Sequence, residues 1–456
     1  YYTDEVVDVE ETGIKYQRGE KQYDEVGKKI EYVYGGKKTL FPRLYDTSPQ
    51  YKQDYERWLG HSGEPTFADN LKFFFNYQIG HMYMRYFMWN FAGRQNDEQG
   101  MGGRKEGNWI SGISFIDSMR LGNQSDLPEH MKNMASRNTF FFLPLLLGLL
   151  GMVFQFTNNK RRAFVILLLF FFTGMAIIIQ GNSPPLEPRE RDYIFAGSFW
   201  AFSIWVGLGV IALYDIFAPK LKGKIAAILS VGLALAVPAI MGFQGWDDHN
   251  RSNRFAARDF AANYLNSCAP NAIIFTQGDN DTYPLWYAQE VENIRRDVRV
   301  VNLSLLGVDW YINQLRRKVN DADPVPMSLD SMKIRGSRRD VVYFQENEER
   351  APKGQFFPLQ DIIRFIADDR LSYIPQAEAN YYPTKTISLK VNKENVMASN
   401  AVAPEDMGKL VDELRWTLNK NSLYKNDLMT LDIIAANNWK RPIYFTSPYG
   451  ELGFGD

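Results

Sequence analysis

The sequence predicts a membrane α-helical bundle of about four spans joined to a soluble α/β domain with a parallel sheet. Three observations carry that expectation. Apolar residues cluster between Asn138 and Phe243, in segments long enough, or nearly so, to cross a bilayer. The short loops between these segments alternate between purely positive and mixed or acidic charge. Beyond residue 246, short apolar runs alternate with stretches of helical spacing. The hydrophobic fraction of 45% would suit an ordinary water-soluble chain, so the average conceals what the distribution reveals.

About 20 consecutive apolar residues span a bilayer as a helix. Thr139–Phe156, Ala163–Gln180, Tyr193–Phe217 and Ile225–Phe243 meet or approach that length, and each lacks Lys, Arg and Glu. The single carboxylate, Asp215, lies near the end of the third and can reach the interface. One charge at a helix centre costs roughly 2.5–3.5 kcal/mol on insertion, so its near-absence is informative. The competing reading is four buried core helices, but those usually keep a charged face. The expected organisation is therefore an exported mixed region over 1–137, four transmembrane helices over 138–245, and an exported α/β domain over 246–456.

Orientation follows from the loops. Asn158-Asn159-Lys160-Arg161-Arg162 and Ala218-Pro219-Lys220-Leu221-Lys222-Gly223-Lys224 carry only positive charge. The positive-inside rule places both in the cytoplasm and puts the two long flanks on the opposite side. The remaining short loop, Pro184-Pro185-Leu186-Glu187-Pro188-Arg189-Glu190-Arg191-Asp192-Tyr193, then faces the exported side. Lipid offers charges no solvation, so this loop belongs at a membrane surface or in a polar cavity. The chain starts at Tyr1 with no Met and no signal peptide, and it ends at Gly453-Phe454-Gly455-Asp456. It is expected to be a piece of a longer polytopic protein. Cys268 is the only cysteine, so no intrachain disulfide forms. No long basic run with interleaved aromatics marks a nucleic-acid partner.

In the first region, Glu5–Tyr34 alternates charged residues with β-branched or aromatic ones, a strand or hairpin signal. Asp69–Trp89 has the character of an aromatic-rich helix. Lying along a membrane interface and packing as a globular core helix are both open to it. Gly93-Arg94-Gln95-Asn96-Asp97 follows, then a glycine loop over 100–107 that is no P-loop, because no Gly-Lys-Ser/Thr follows it. Arg94, Asn96 and Asp97 fit a helix cap and turn as well as they fit a binding role.

In the last region, Ala272–Thr276, Val298–Leu303 and Arg441–Thr446 read as strands. Thr282–Asn293, Asp309–Val319 and Leu428–Asn438 read as helices. Residues 321–420 carry fewer signals and hold an insertion with strands such as Lys385–Val391. Strand–helix alternation favours a parallel sheet, whose ligands bind beyond the carboxyl ends of the strands. Asp279, Asn280 and Asp281 sit there. Capping of the next helix by Asp281 or Thr282 is the alternative role.

Common catalytic constellations are absent. No His-Glu-x-x-His, no cysteine pair for zinc and no Gly-x-Ser-x-Gly occurs, and no metal site is expected. What remains is carboxylates and arginines near a membrane. Arg189 and Arg191 could grip a phosphate in bidentate fashion. Glu187, Glu190 and Asp192 could act as a general base or hold the arginines in place. A salt-bridge cluster with no substrate is equally open.

The string from Gly181-Asn182-Ser183-Pro184 through Arg189-Glu190-Arg191-Asp192-Tyr193-Ile194-Phe195-Ala196-Gly197-Ser198 resembles a bacterial membrane family. That family was first described as a domain of unknown function and is grouped with the protein O-mannosyltransferases. Arg85–Phe91 with Gly93–Asp97, Gly107–Ile113, and Gly278–Thr282 with Pro284–Tyr287 are similar to it as well. The resemblance implies a GT-C glycosyltransferase of a bacterial inner membrane. Such an enzyme takes a sugar, here mannose, from a polyprenyl-phosphate donor and passes it to a Ser or Thr hydroxyl of an exported protein. On this reading Glu187, Arg189, Glu190, Arg191 and Asp192 wall the donor site. Asp279, Asn280, Asp281, Arg94, Asn96 and Asp97 are candidates for acceptor binding. The partners implied are the bilayer, the lipid-linked sugar and the exported acceptor, with no further cofactor. The GT-C catalytic carboxylate belongs to a first exported loop, expected upstream of Tyr1, so no base is assigned. The rival reading is a non-catalytic membrane scaffold or receptor with an exported α/β binding domain. A transporter is the weaker rival, because four spans without an intramembrane ionisable pair offer little for a translocation path.

Overall fold

The computed structural model describes residues 6–18, 22–35, 40–46, 48–185, 187, 189–399 and 401–453. Of the positions discussed above, residues 1–5, 19–21, 36–39, 47, 186, 188, 400 and 454–456 lie outside the described residues. Two compact units divide the chain, residues 1–10 with 32–252 and residues 11–31 with 253–456. The alternation over 5–34 produces the expected hairpin. Strands β1 (Val6–Arg18) and β2 (Tyr23–Tyr34) pair with each other, and their residues fall partly in each unit.

In the first unit, α1 (Pro49–Leu59) has proline in its first turn and ends on Gly60 in the left-handed region, φ 77°. Helix α2 (Phe67–Phe73) starts with a capping box: Asp69 N donates to Thr66 Oγ1 (3.2 Å), and Thr66 N donates to Asp69 Oδ2 (2.9 Å). Such reciprocal bonds satisfy amides that helix geometry leaves open. The run continues through a π-helical stretch, Phe74–Met84, into α3 (Arg85–Phe91). This is the aromatic helix read from the sequence. Helices α4 (Ser114–Leu121) and α5 (Glu129–Lys132) follow. The bundle comprises α6 (Leu143–Asn158), α7 (Lys160–Phe172), α8 (Met175–Gly181), α9 (Ala196–Phe217) and α10 (Gly223–His249).

Much of the aromatic helix packs against the bundle, while Phe75 and Met84 stay exposed. Tyr77, Tyr83, Tyr86, Phe87, Trp89 and Phe91 are buried. Ring centroids lie 4.6 Å apart for Phe91 and Phe202, 4.9 Å for Phe87 and Phe202, and 5.3 Å for Tyr83 and Phe195. Each such pair adds about 0.5–1.5 kcal/mol beyond area burial.

Among the described residues, three helical runs are long and apolar enough to cross a membrane: Lys160–Gly181, Asp192–Phe217 and Gly223–His249. The expected first span is shorter than the sequence suggested. Helix α6 has 16 residues. That length rises about 24 Å, against a hydrocarbon core of about 30 Å. The loss comes at its start. Phe141 and Phe142 adopt left-handed φ values of 53° and 57°, and Phe140 N donates to Ala92 O at 2.7 Å. Phe140 and Phe141 are thus tied to Ala92 and Ser111 instead of continuing the helix.

Helices α6 and α9 meet backbone to backbone. A Cβ at Gly151 would overlap the Trp205 carbonyl oxygen and stand 2.6 Å from Gly209 N. Small residues permit this approach, which is how helices associate where no hydrophobic effect drives them together. The one polar group of α6 that faces this contact is satisfied, since Trp205 Nε1 donates to Gln155 Oε1 at 2.7 Å.

The second unit opens with α11 (Ala256–Ser267), β3 (Ile273–Thr276), α12 (Asp279–Glu290) and β4 (Arg299–Asn302). After α13 (Asp309–Leu315) and α14 (Ser331–Ile334) come β5 (Val341–Phe344) and β6 (Phe357–Pro358). Then follow α15 (Leu359–Ala367), α16 (Asp369–Ser372), β7 (Tyr373–Ile374), β8 (Ala379–Tyr382) and β9 (Thr386–Lys390). The chain closes with α17 (Lys393–Ala398), β10 (Glu413–Thr417), β11 (Ser422–Tyr424), α18 (Lys425–Asn437) and β12 (Ile443–Phe445).

The three expected strands form one parallel sheet in the order β12-β3-β4, with Ile273 opposite Ile443 on one side and Arg299 on the other. The poorly patterned region contributes two more sheets, β11-β5-β8-β7 and β10-β9-β6, both mixing parallel and antiparallel pairs. Helix α12 starts at Asp279 and not at Thr282, because Gly278 takes the N-cap position. Pro284 therefore lies inside the helix.

Candidate functional site

The charged loop between α8 and α9 is held at two points against the first unit. Its start is pinned by polar side chains from α2–α3 and from the segment before α1. Gln78 Nε2 donates to Asn182 Oδ1 (3.0 Å) and Ser183 O (3.1 Å), and Tyr77 OH donates to Pro184 O (3.0 Å). Arg43 Nη1 donates to Ile179 O (2.9 Å) and Asn182 Oδ1 (3.2 Å). Asn182 holds a left-handed φ of 44°, which its short amide tolerates, and this turns the chain out of α8.

The end of the loop is pinned by Glu190. Arg85 Nη1 donates to its Oε1 at 3.1 Å and Nη2 to its Oε2 at 2.8 Å. Gly100 N donates to Oε1 at 2.6 Å, and Tyr86 OH donates to Oε2. The Tyr86 oxygen also accepts from Arg191 N at 3.2 Å. Arg85 is itself fixed by Nη1 donation to Gly107 O (2.9 Å) and Nε donation to His81 O (3.0 Å). The glycine loop over 100–107 therefore folds onto the charged loop, and Gln99 Nε2 adds a bond to Glu187 O at 2.7 Å.

This network sets the protonation of its members. Burial pushes the Glu190 carboxyl up, but the Arg85 guanidinium, the Gly100 amide and the Tyr86 hydroxyl outweigh it and hold it below the usual carboxylate range. Burial, with the Arg85 charge beside it, lowers the His81 imidazole to about 4. The ring is then neutral at pH 7, and its Nε2–H donates to Gly100 O at 2.8 Å.

The donor-side candidates divide accordingly. Glu190 faces inward, and both of its oxygens are occupied, so it is a poor general base and no open ligand for a sugar. Glu187 pairs with Arg191 at 2.9 Å. Asp192 opens the 3-10 turn that leads into α9. Arg189 is exposed, and its guanidinium lies 5.8 Å from the ring of exposed Tyr193. An exposed guanidinium beside an aromatic face, on a loop fixed at both ends, is the group here best suited to a phosphate.

The acceptor-side candidates lie in different units. In the first, Asn96 is fully buried. Its Nδ2 donates to Lys105 O (2.8 Å), and its Oδ1 accepts from Gly107 N (2.8 Å). Arg94 packs its guanidinium 4.1 Å over Trp89 and donates from Nε to Asn96 O (3.0 Å). Asn96 and Arg94 thus shape the glycine loop, and Asp97 is exposed beside them. In the second unit, Asp281 accepts from Gln277 N (2.8 Å), Gly278 N (2.9 Å) and Thr446 Oγ1 (2.6 Å). Burial raises its carboxyl, and the Thr446 hydroxyl and the two amides bring it below the usual range. Capping engages both of its oxygens, while Asp279 and Asn280 stay exposed at the start of α12, beyond the carboxyl end of β3.

Arg85, Tyr86, Gln78 and Arg43 hold this loop without having been site candidates. The available signal was Arg85 itself. A guanidinium inside an aromatic helix requires a carboxylate, and the charged loop supplies one.

Residues 257–453 match the family described as TMEM260-associated domain 2, and residues 1–75 match a family of unknown function, DUF8416. Neither description names an activity. No curated protein and no solved structure matches the chain.

Proposed function

We propose that the chain is part of a polytopic membrane glycosyltransferase. It moves a sugar, mannose in the first instance, from a polyprenyl-phosphate donor to Ser or Thr hydroxyls of exported proteins. The observation that supports this reading best is the loop clamped by Arg85–Glu190 at one end of a bundle of apolar helices. A lipid-linked phosphate carries its headgroup at that level, and the fixed loop presents Arg189 without the cost of ordering it on binding. The Lys/Arg loops at the opposite end of the bundle favour a cytoplasmic position for that end, which puts the clamped loop on the exported side. No described residue is assigned as the base that takes the acceptor proton.

The direct test is transfer of labelled mannose from polyprenyl-phosphate mannose to a Ser/Thr peptide by the full-length protein in vesicles. Label in the peptide supports the reading. Donor binding with no transfer to any hydroxyl acceptor would overturn it.

A specific observation supports the scaffold reading as well. The second unit carries an apolar cavity of about 760 Å³ lined by Leu389, Val391, Leu414, Trp416, Ile443 and Phe445 among others. That volume lies within the usual range for ligand sites.

A further inference from the structure

We propose that α4 is a membrane-surface element whose apolar face rests in the boundary layer of the leaflet beside α6 and α10. The proposal depends on the bundle being membrane-embedded, but not on sugar transfer. Phe115 and Met119 are 74% and 75% exposed, and Ile113 is 37% exposed. Phe115 and Met119 stand four residues apart and therefore share one side of the helix. The other side is anchored. Asp117 is buried and accepts from Ser111 N (2.8 Å), Ser111 Oγ (3.0 Å) and Gly112 N (2.8 Å). The cation of α4, Arg120, lies 3.5 Å over the Trp109 ring.

The level of α4 relative to the bundle is fixed by hydrogen bonds. Phe141 N donates to Ser111 O at 2.9 Å, and Thr139 N donates to Gln244 Oε1 at 2.7 Å. A Cβ at Gly112 would stand 2.7 Å from Thr139 Cβ and 2.9 Å from Phe141 Cε1. Helix α4 therefore leaves this contact where α6 begins and α10 ends. At that same level α10 exposes Phe243 at 88% and Trp246 at 70%. Aromatic residues at the ends of spans sit among the headgroups, and a helix lying there buries its apolar side roughly 5–10 Å into the boundary. The exposed apolar side chains of α4 lie next to the contact where α6 begins and where α10 exposes Phe243 and Trp246, and this shared level makes lipid the occupant we infer.

The single native cysteine, buried Cys268, makes the test clean. In a Cys268→Ser background of the full chain in phosphatidylcholine vesicles, a fluorescent thiol probe is placed at Phe115→Cys, Met119→Cys, Leu235→Cys or Ser125→Cys. Quenching is read with lipid nitroxides near the glycerol end or the middle of the acyl chain, and with aqueous iodide. Expected is strong quenching at 115 and 119 by the shallow nitroxide, several-fold above that by iodide. At 235 the deep nitroxide should dominate, and at 125 iodide. Iodide dominance at 115 and 119, or protection from all quenchers by a second copy or a partner, overturns the proposal while the result at 235 leaves the membrane reading intact. Absence of lipid quenching at 235 overturns both.

Discussion

Glu190 receives the Arg85 guanidinium with both oxygens, at 3.1 and 2.8 Å, across 105 residues of chain. Their side chains are 16% and 5% exposed. The pair joins the aromatic helix to the loop that precedes α9, and it turns the Glu190 carboxylate inward.

Removing one partner leaves a buried charge uncompensated. Arg85→Ala and Glu190→Ala should each destabilise the protein by roughly 3–5 kcal/mol. The double variant Arg85→Met/Glu190→Leu should be far more stable than the sum of the single changes. Denaturant unfolding in micelles measures this, and simple additivity would show that the pair does not act as a unit.

His81 adds a pH dependence with a definite sign. Its folded pKa of about 4 lies below the unfolded value of about 6.5. The unfolded chain therefore binds more protons between those limits, so stability is complete above about pH 6.5 and falls as pH drops towards 4. Glu190, lowered in the fold, extends the loss in the same direction below the ordinary carboxylate value. Melting temperature against pH should slope less in His81→Gln between pH 6.5 and 4.5.

Gly151 offers no room for a methyl group, whereas a Cβ at Gly207, on the neighbouring helix, meets nothing within 4 Å. Gly151→Ala should cost about 1–3 kcal/mol or more by overpacking, and Gly207→Ala should be nearly neutral. Thermal unfolding of the two variants side by side decides it.

At α12, Asp281→Ala should lower stability by about 0.5–2 kcal/mol through loss of the cap. Asp279→Ala and Asn280→Ala should leave stability unchanged. Under the proposed transfer reaction they should raise KM for the peptide while leaving KM for the donor alone.

Arg189→Ala should impair donor use more than Arg191→Ala, because Arg191 is paired with Glu187 at 2.9 Å. Equal effects in a donor titration would place the phosphate elsewhere on the loop.

The apolar stretches were legible because composition alone defines them, β3 and β4 because buried strands read as short apolar runs, and half-buried β12 because Ile443-Tyr444-Phe445 reads the same way. The length of α6 was not legible. Nothing in Thr139–Phe142 announces that Phe140 and Phe141 bond back to Ala92 and Ser111. The sheets over 321–420 were faint because strands such as β6 and β7 have only two residues each. In the charged loop, residue types revealed a polar cluster but not its direction. Glu190 turns inward because Arg85, 105 positions away, waits there, and such a partner carries no local periodicity.

With 16 residues, helix α6 is shorter than the three runs that are long and apolar enough to cross a membrane, so a bundle that carried it through a bilayer would favour a thin one. Its rise of about 24 Å matches a thin hydrocarbon layer, near 27 Å, better than a thick one of about 32–33 Å. Spanning by so short a helix requires the lipids against its outer face to thin locally, or its flanking polar residues to snorkel to the interface. Either adjustment costs fractions of a kcal/mol per ångström of mismatch. Varying acyl-chain length in vesicles should therefore shift stability through the same helix that Gly151 locks against α9.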